Sequence, residues 1–101
     1  RGADGHIEGG HSMRGQADAV FAKLQKLLQA AGADLGNVYK LVIYVTDMTD
    51  RAAVNEARQA WLRPPFPCST LICVSALADP ALRIEIDAFT HVGFRRHAEP
   101  G

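Results

Sequence analysis

The chain has 101 residues, and its 11 lysines and arginines balance its 11 aspartates and glutamates, so the formal charge is zero. That length holds one modest core and no second one. A neutral balance argues against nucleic-acid binding by phosphate neutralisation, which shows as a basic excess or stripe, and a hydrophobic fraction of 48% is too high for a disordered chain. No apolar run approaches the roughly 18 residues that cross a bilayer as a helix, so no membrane partner is expected.

Residues 1–12 carry Gly2, Gly5, Gly9 and Gly10 without a hydrophobic period and read as loop. The chain begins at Arg1 rather than Met, and residues are expected to be missing upstream. Over residues 13–31, Ala17, Val20, Phe21, Leu24, Leu27 and Leu28 recur at three- and four-residue steps, which predicts an amphipathic helix. Ser12 is its N-cap and Gly32 its stop, with Arg14, Gln16, Asp18 and Lys23 on a face turned to water.

Residues 38–46 (VYKLVIYVT) are β-branched and aromatic on both faces, which predicts a strand covered by helix on one side and by another layer or subunit on the other. Residues 50–62 place Ala53, Val54, Ala57, Ala60 and Trp61 on one face of a second helix. Pro64, Pro65 and Pro67 then form a rigid connector. Residues 68–76 and 82–92 read as strands joined through a turn at Ala78, Asp79 and Pro80, and so as a hairpin.

Cys68 and Cys73 would stand about 16 Å apart on such a strand, beyond disulfide reach. Reduced thiols in a cytoplasmic setting are therefore expected. The order helix, strand, helix, strand, strand predicts an α+β domain over residues 1–93, a mixed sheet with two helices on one face, followed by a frayed tail at 94–101. The uncovered face asks for a symmetric oligomer.

Two long segments, LLQAAGADLGNVYKLVIYVTDMTDRAAVNEARQAWL and PCSTLICVSALADPALRIEIDAF, resemble in order and spacing the Rid/YjgF family of reactive-intermediate deaminases, also labelled L-PSP endoribonuclease-like. The resemblance runs from about residue 9 to residue 92. It implies a chorismate-mutase-like fold, a homotrimer, small metabolites bound in clefts between subunits, no cofactor, and a strand pair ahead of Arg1. It also implies hydrolysis of imines and enamines derived from amino acids.

In that family an arginine in a pattern like P-x-R-[ST]-x-x-x-V holds the substrate carboxylate. Here Pro67, Cys68, Ser69 and Thr70 put a serine in its place without any gap, and a one-residue shift would exchange the strand's faces. A serine hydroxyl offers one neutral hydrogen bond where a guanidinium offers two charge-assisted ones, a loss of about 2–5 kcal/mol in a desolvated cleft. Arg1, Arg63 and Arg83 are the candidates to replace that guanidinium.

Glu85, in IEID, matches the family glutamate that orients or activates water, against the plainer reading of a solvated residue on an alternating strand. Asn55, in AAVNEA, matches a cleft asparagine or is an exposed helix residue. Cys73 shares a strand face with Ser69 and stands either in a cleft wall or as a small buried hydrophobe. Substrate binding is accordingly expected from Ser69, Asn55 and Cys73, and catalysis from Glu85. Ser69 has no histidine near it in sequence, and His6, His11, His91 and His97 lack metal-ligand spacing.

Two readings of function follow: a hydrolase with altered or lost deaminase chemistry, and a non-catalytic trimeric protein that binds a small metabolite. The older ribonuclease or translation-inhibitor label fits poorly with zero net charge and no basic or aromatic platform.

Overall fold

The computed structural model describes residues 9–95; the rest of the predicted N-terminal loop, with Arg1 and His6, and most of the predicted tail, with His97, lie outside the described residues. The elements are α1 (Met13–Ala30), β1 (Val38–Val45), α2 (Arg51–Trp61), β2 (Cys68–Cys73) and β3 (Ile84–Thr90), with short 3-10 turns before β1 and α2. The Ser12 hydroxyl caps α1 by accepting from the Gly15 N–H. Gly32, at φ 79°, adopts the left-handed conformation that ends a helix.

Among the described residues the sheet has three strands, in the order β2-β1-β3. β1 and β2 are parallel, connected through α2, and β1 and β3 are antiparallel. The predicted hairpin between the last two strands is therefore wrong: β2 and β3 each pair with β1 and not with each other. The physical reason is that β1, apolar on both faces, takes the central place, and residues 74–83 carry the chain past its end. Both late strands are also shorter than expected, because pairing stops where β1 ends at Val45.

Register sorts the side chains. Leu41, Ile43 and Val45 of β1 align with Ser69, Leu71 and Cys73 of β2 and with Ala88, Ile86 and Ile84 of β3. This face lies under the helices, where Phe21, Val54, Ala57, Leu41, Val45 and Ile84 form the centre of the core. The opposite face carries Lys40, Val42 and Tyr44 beside Cys68, Thr70 and Ile72 on one side and Phe89, Asp87 and Glu85 on the other. Tyr39, Ile72 and Phe89 are among its exposed large residues.

Among the described residues two polar side chains are buried, and both tie distant segments together. Gln16, expected on the wet face of α1, is only 2% exposed. Its Nε2 donates to the carbonyls of Gly10 and Ala81, both at 3.1 Å, and its Oε1 accepts from the Arg83 N–H at 2.7 Å. Periodicity misplaced it because a full set of partners makes burial of an amide tolerable. Asn37 accepts from the Asp34 N–H and donates to the carbonyls of Val92 and Phe94, so the chain after β3 is bound to the start of β1. Leu27, expected inward, is 64% exposed, and Ala60 is exposed as well.

The helices are joined by the Trp61 indole, which stacks on Phe21 and donates to Asp18 Oδ1 at 2.9 Å. Arg14 donates to the same carboxylate at 3.0 Å and reaches Glu56 at 3.4 Å. The Trp61 hydrogen bond, aided by Arg14, outweighs desolvation and holds the Asp18 carboxyl below its ordinary value of 3.8.

Replacing Gln16 by Leu leaves the Arg83 N–H and two carbonyls without their partner, and should cost about 2–3 kcal/mol in urea unfolding; a loss under about 0.5 kcal/mol would refute this role. Asp18→Asn should cost about 1 kcal/mol at neutral pH, a figure discounted for partial exposure. Because the folded state binds the Asp18 proton less readily, this stabilisation is complete above pH 3.8 and fades as pH falls through the lowered folded value. The stability gap between wild type and variant should therefore narrow at about pH 2.5, and a gap constant with pH would contradict the assignment.

Candidate functional site

Glu85 projects from the face of β3 that the helices do not cover. Alternation places Asp87 on the same face, and register sets Glu85 directly across from Tyr44 and Asp87 across from Val42. The Tyr44 hydroxyl donates to Asp87 Oδ2 at 3.1 Å. That hydrogen bond first, then desolvation and the negative charges of Asp87 and Glu85, raise the Tyr44 phenol above its ordinary value of 10.

These three side chains line one wall of a depression of about 360 Å³, whose other wall is Val74, Ala76, Leu77 and Ala78. The segment crosses here because residues 74–83 must carry the chain from the end of β2 past the end of β1 to β3. A second depression of about 320 Å³ lies on the α1 side, among Ala19, Val20, Lys23, Leu82 and Ile86. Glu85, Leu77 and Ala78 belong to both. Glu85 is exposed at this junction, and a carboxylate there can hold a water molecule and exchange a proton with it.

The other residues expected at a site do not gather around Glu85. Ser69 aligns with Leu41 on the helix-covered face, and its hydroxyl donates to the Pro67 carbonyl at 3.3 Å. Glu85 and Ser69 thus lie on opposite faces of the sheet, on strands separated by β1. Asn55 is exposed on α2 and lines neither depression. Cys73 is exposed at the end of β2 rather than buried, because β2 is an edge strand there; it precedes Val74 of the depression wall. Cys68 is likewise an exposed free thiol.

Of the arginines considered as replacements, Arg83 is committed elsewhere: its Nη2 donates to both oxygens of Asp50 at 2.7 and 2.8 Å, and its Nη1 to the His11 carbonyl. Arg63 follows α2 in the connector and lines neither depression. Among the described residues no group of three histidine, cysteine or acidic side chains is set to hold a metal ion, and no helix is long and apolar enough to cross a membrane.

Sequence reasoning missed Tyr44, Asp87 and the loop at 74–78. The Glu85 and Asp87 pair was readable from the two-residue strand period. Tyr44 was not, since only the register between β1 and β3 brings it opposite Glu85.

A family model described as endoribonuclease L-PSP matches residues 2–92. The 2-iminobutanoate/2-iminopropanoate deaminase of Capra hircus is 31% identical over a region covering 77% of this chain and 56% of its own. The crystal structure of a Pseudomonas aeruginosa protein of unknown function is 40% identical, with a TM-score of 0.83 over 87% of this chain and 64% of its own. RidA from an Antarctic Psychrobacter is 31% identical, with a TM-score of 0.77 over 80% of this chain and 65% of its own. The chain spans little more than half the length of the curated relatives it matches.

Asp87→Asn, in a Tyr39→Phe background that leaves Tyr44 as the single tyrosine, should lower the phenol titration towards its ordinary value, read from tyrosinate absorbance against pH. An unchanged titration would show that Asp87 does not set the Tyr44 environment.

Proposed function

Because the chain belongs to the endoribonuclease L-PSP family of Rid/YjgF proteins, we propose that it is a hydrolase of small imines or enamines, with Glu85 as the group that handles water and with a substrate choice altered at Ser69. The observation that carries this reading is Glu85 at the junction of two depressions, with Tyr44 and Asp87 beside it. The deaminase among its relatives supports the reaction type.

In this mechanism a water held by Glu85 attacks the carbon of a protonated C=N bond, and the carboxylate takes the proton released. The nitrogen of the resulting carbinolamine then receives that proton from Glu85, the C–N bond breaks as the hydroxyl gives its own proton to the Glu85 carboxylate and the carbonyl forms, and the departing ammonia takes this second proton and leaves as ammonium. The placement of Ser69 and Glu85 on opposite sheet faces supports a site completed between copies, since one copy does not bring them together. A homotrimer with the uncovered faces turned inward would bury Ile72 and Phe89. In such a cleft Asn55 and Cys73 of one copy contribute from the rim. Exposed free Cys68 and Cys73 favour a reducing, cytoplasmic setting.

The second reading, a metabolite-binding protein without turnover, is favoured by one observation: Ser69, at the position where the resemblance puts the carboxylate-holding arginine, spends its hydroxyl on the Pro67 carbonyl. Turnover separates the two. With imines generated in place by an amino-acid oxidase, the hydrolase reading expects wild-type acceleration, its loss by at least about 100-fold in Glu85→Gln, and an unchanged melting temperature. Ser69→Arg should raise the rate on 2-imino acids by about 30-fold or more. Silence of both wild type and Ser69→Arg would leave the binding reading.

A further inference from the structure

Among the described residues one buried side-chain nitrogen has no hydrogen-bond partner, the Nε of Arg58. An unpaired buried donor destabilises a fold and is rare, so its presence asks what the side chain is held for. Arg58 stands in the last turn of α2, with its guanidinium carbon 5.8 Å from the centre of the Phe66 ring. That contact fixes the group against the connector into β2. No carboxylate or carbonyl among the described residues meets its two Nη groups, which stay open to solvent.

The topology places this guanidinium at the margin of the sheet. α1 packs beside α2 and over β3, so α2, which connects β1 to β2, covers those two strands. Glu56 and Trp61 turn to α1, the one bonded to Arg14 and the other stacked on Phe21. Arg51, Asn55 and Arg58 follow at four- and three-residue steps along the flank away from α1. That flank overhangs the edge strand β2, and Ser69 faces it from the helix-covered side, three residues after Phe66. Residues 51–73 hold three arginines and one acid, Glu56, whose partner is Arg14. This edge is therefore basic.

We propose that Arg58 is a specificity-determining residue that holds the carboxylate of the substrate, received end-on by its two Nη groups at the edge of β2, with the exposed Asn55 amide one turn away as a further donor. The inference rests on the hydrolase reading and names the group that selects an acid-bearing imine for it. Burial of Nε against Phe66 keeps the fork from swinging into solvent, and a preorganised planar fork matches a carboxylate by two charge-assisted hydrogen bonds. Arg58 thus does from α2 part of what the resemblance assigns to an arginine at position 69, and Ser69→Arg would add a second guanidinium to the same hold.

The test uses the purified full chain and two ligands of equal skeleton, 2-oxobutanoate and uncharged butan-2-one. Binding is followed through the nitrogen–proton NMR signals of the Arg58 Nε–H, the Asn55 side-chain amide and the Ser69 backbone N–H. The expected result is saturable shifts with 2-oxobutanoate and none with butan-2-one, and an affinity for 2-oxobutanoate weaker by about tenfold or more in Arg58→Gln. Arg58→Lys, which keeps the charge and the aliphatic stem but not the fork, should fall between wild type and Arg58→Gln. Arg51→Gln removes an equal charge two turns away, about a Debye length, and should change the affinity less than about twofold. Turnover gives a second readout. The kcat/KM for 2-iminobutanoate, made in place by an amino-acid oxidase, should fall about tenfold or more in Arg58→Gln. That for butan-2-iminium, made from sec-butylamine by an amine oxidase, should stay within about twofold of wild type.

Equal response to both ligands, no response to 2-oxobutanoate, or undiminished binding in Arg58→Gln would overturn the proposal. Loss of the oligomer in Arg58→Gln, read by sedimentation, with a wild type silent to 2-oxobutanoate would assign Arg58 to a carboxylate of a second copy and overturn it too. If neither imine is turned over, the hydrolase reading fails and the binding comparison alone decides whether Arg58 holds a carboxylate.

Discussion

The side-chain amide of Gln16 is the point on which the rest of the architecture hangs. One residue of α1, buried beneath the turn that precedes it, makes hydrogen bonds to Gly10 in that turn and to Ala81 and Arg83 in the segment that leads into β3. Through Arg83 it sets where β3 begins, and the start of β3 determines its register against β1. A slip of one residue would turn Glu85 and Asp87 under the helices and push Ile84 and Ile86 into water. Burial of so polar a group is tolerated because both its donor and acceptor atoms are satisfied, and removal of the amide would strand its partners.

With that register set, the sheet is a partition between two kinds of environment. The helix side is sealed by Phe21, Val54, Ala57 and the inward residues of the strands, and is braced by the Trp61 bond to Asp18. The other side keeps aromatic and aliphatic surface beside carboxylates and a phenol. Apolar surface in that position is stable when another layer lies on it, and functional groups on it become sites when that layer also excludes water. Fold and chemistry therefore make the same demand for a further surface over β1 and β3.

The place of Ser69 is set by this partition: it aligns with Leu41 on the helix-covered face. The serine hydroxyl turns back to Pro67 and contributes no charge. Glu85 and Asp87 stand on the opposite face, with β1 between them and Ser69.

Much of this molecule is written in local pattern. The three- and four-residue spacing around Phe21 and Leu28, the Ser12 cap, the Gly32 stop, the β-branched run at 38–45 and the Ile84, Ile86, Ala88 alternation are properties of neighbouring residues, and each appears in the structure where that pattern puts it. The segments AAGADLGNVYK, YVTDM, AAVNEA and IEIDA likewise identified the family. Which strand lies beside which was not local information: a turn sequence at Ala78 and Pro80 fits a hairpin as readily as a longer crossing, and the choice was made by β1, whose two apolar faces belong at the centre of the sheet. The burial of Gln16, the pairing of Arg83 with Asp50, and the meeting of Tyr44 with Glu85 and Asp87 depend on contacts between residues distant in the chain. Sequence alone determined the elements and the family because those rest on short-range spacing and order; only the tertiary structure decided the strand order and the composition of the site, because both depend on long-range register.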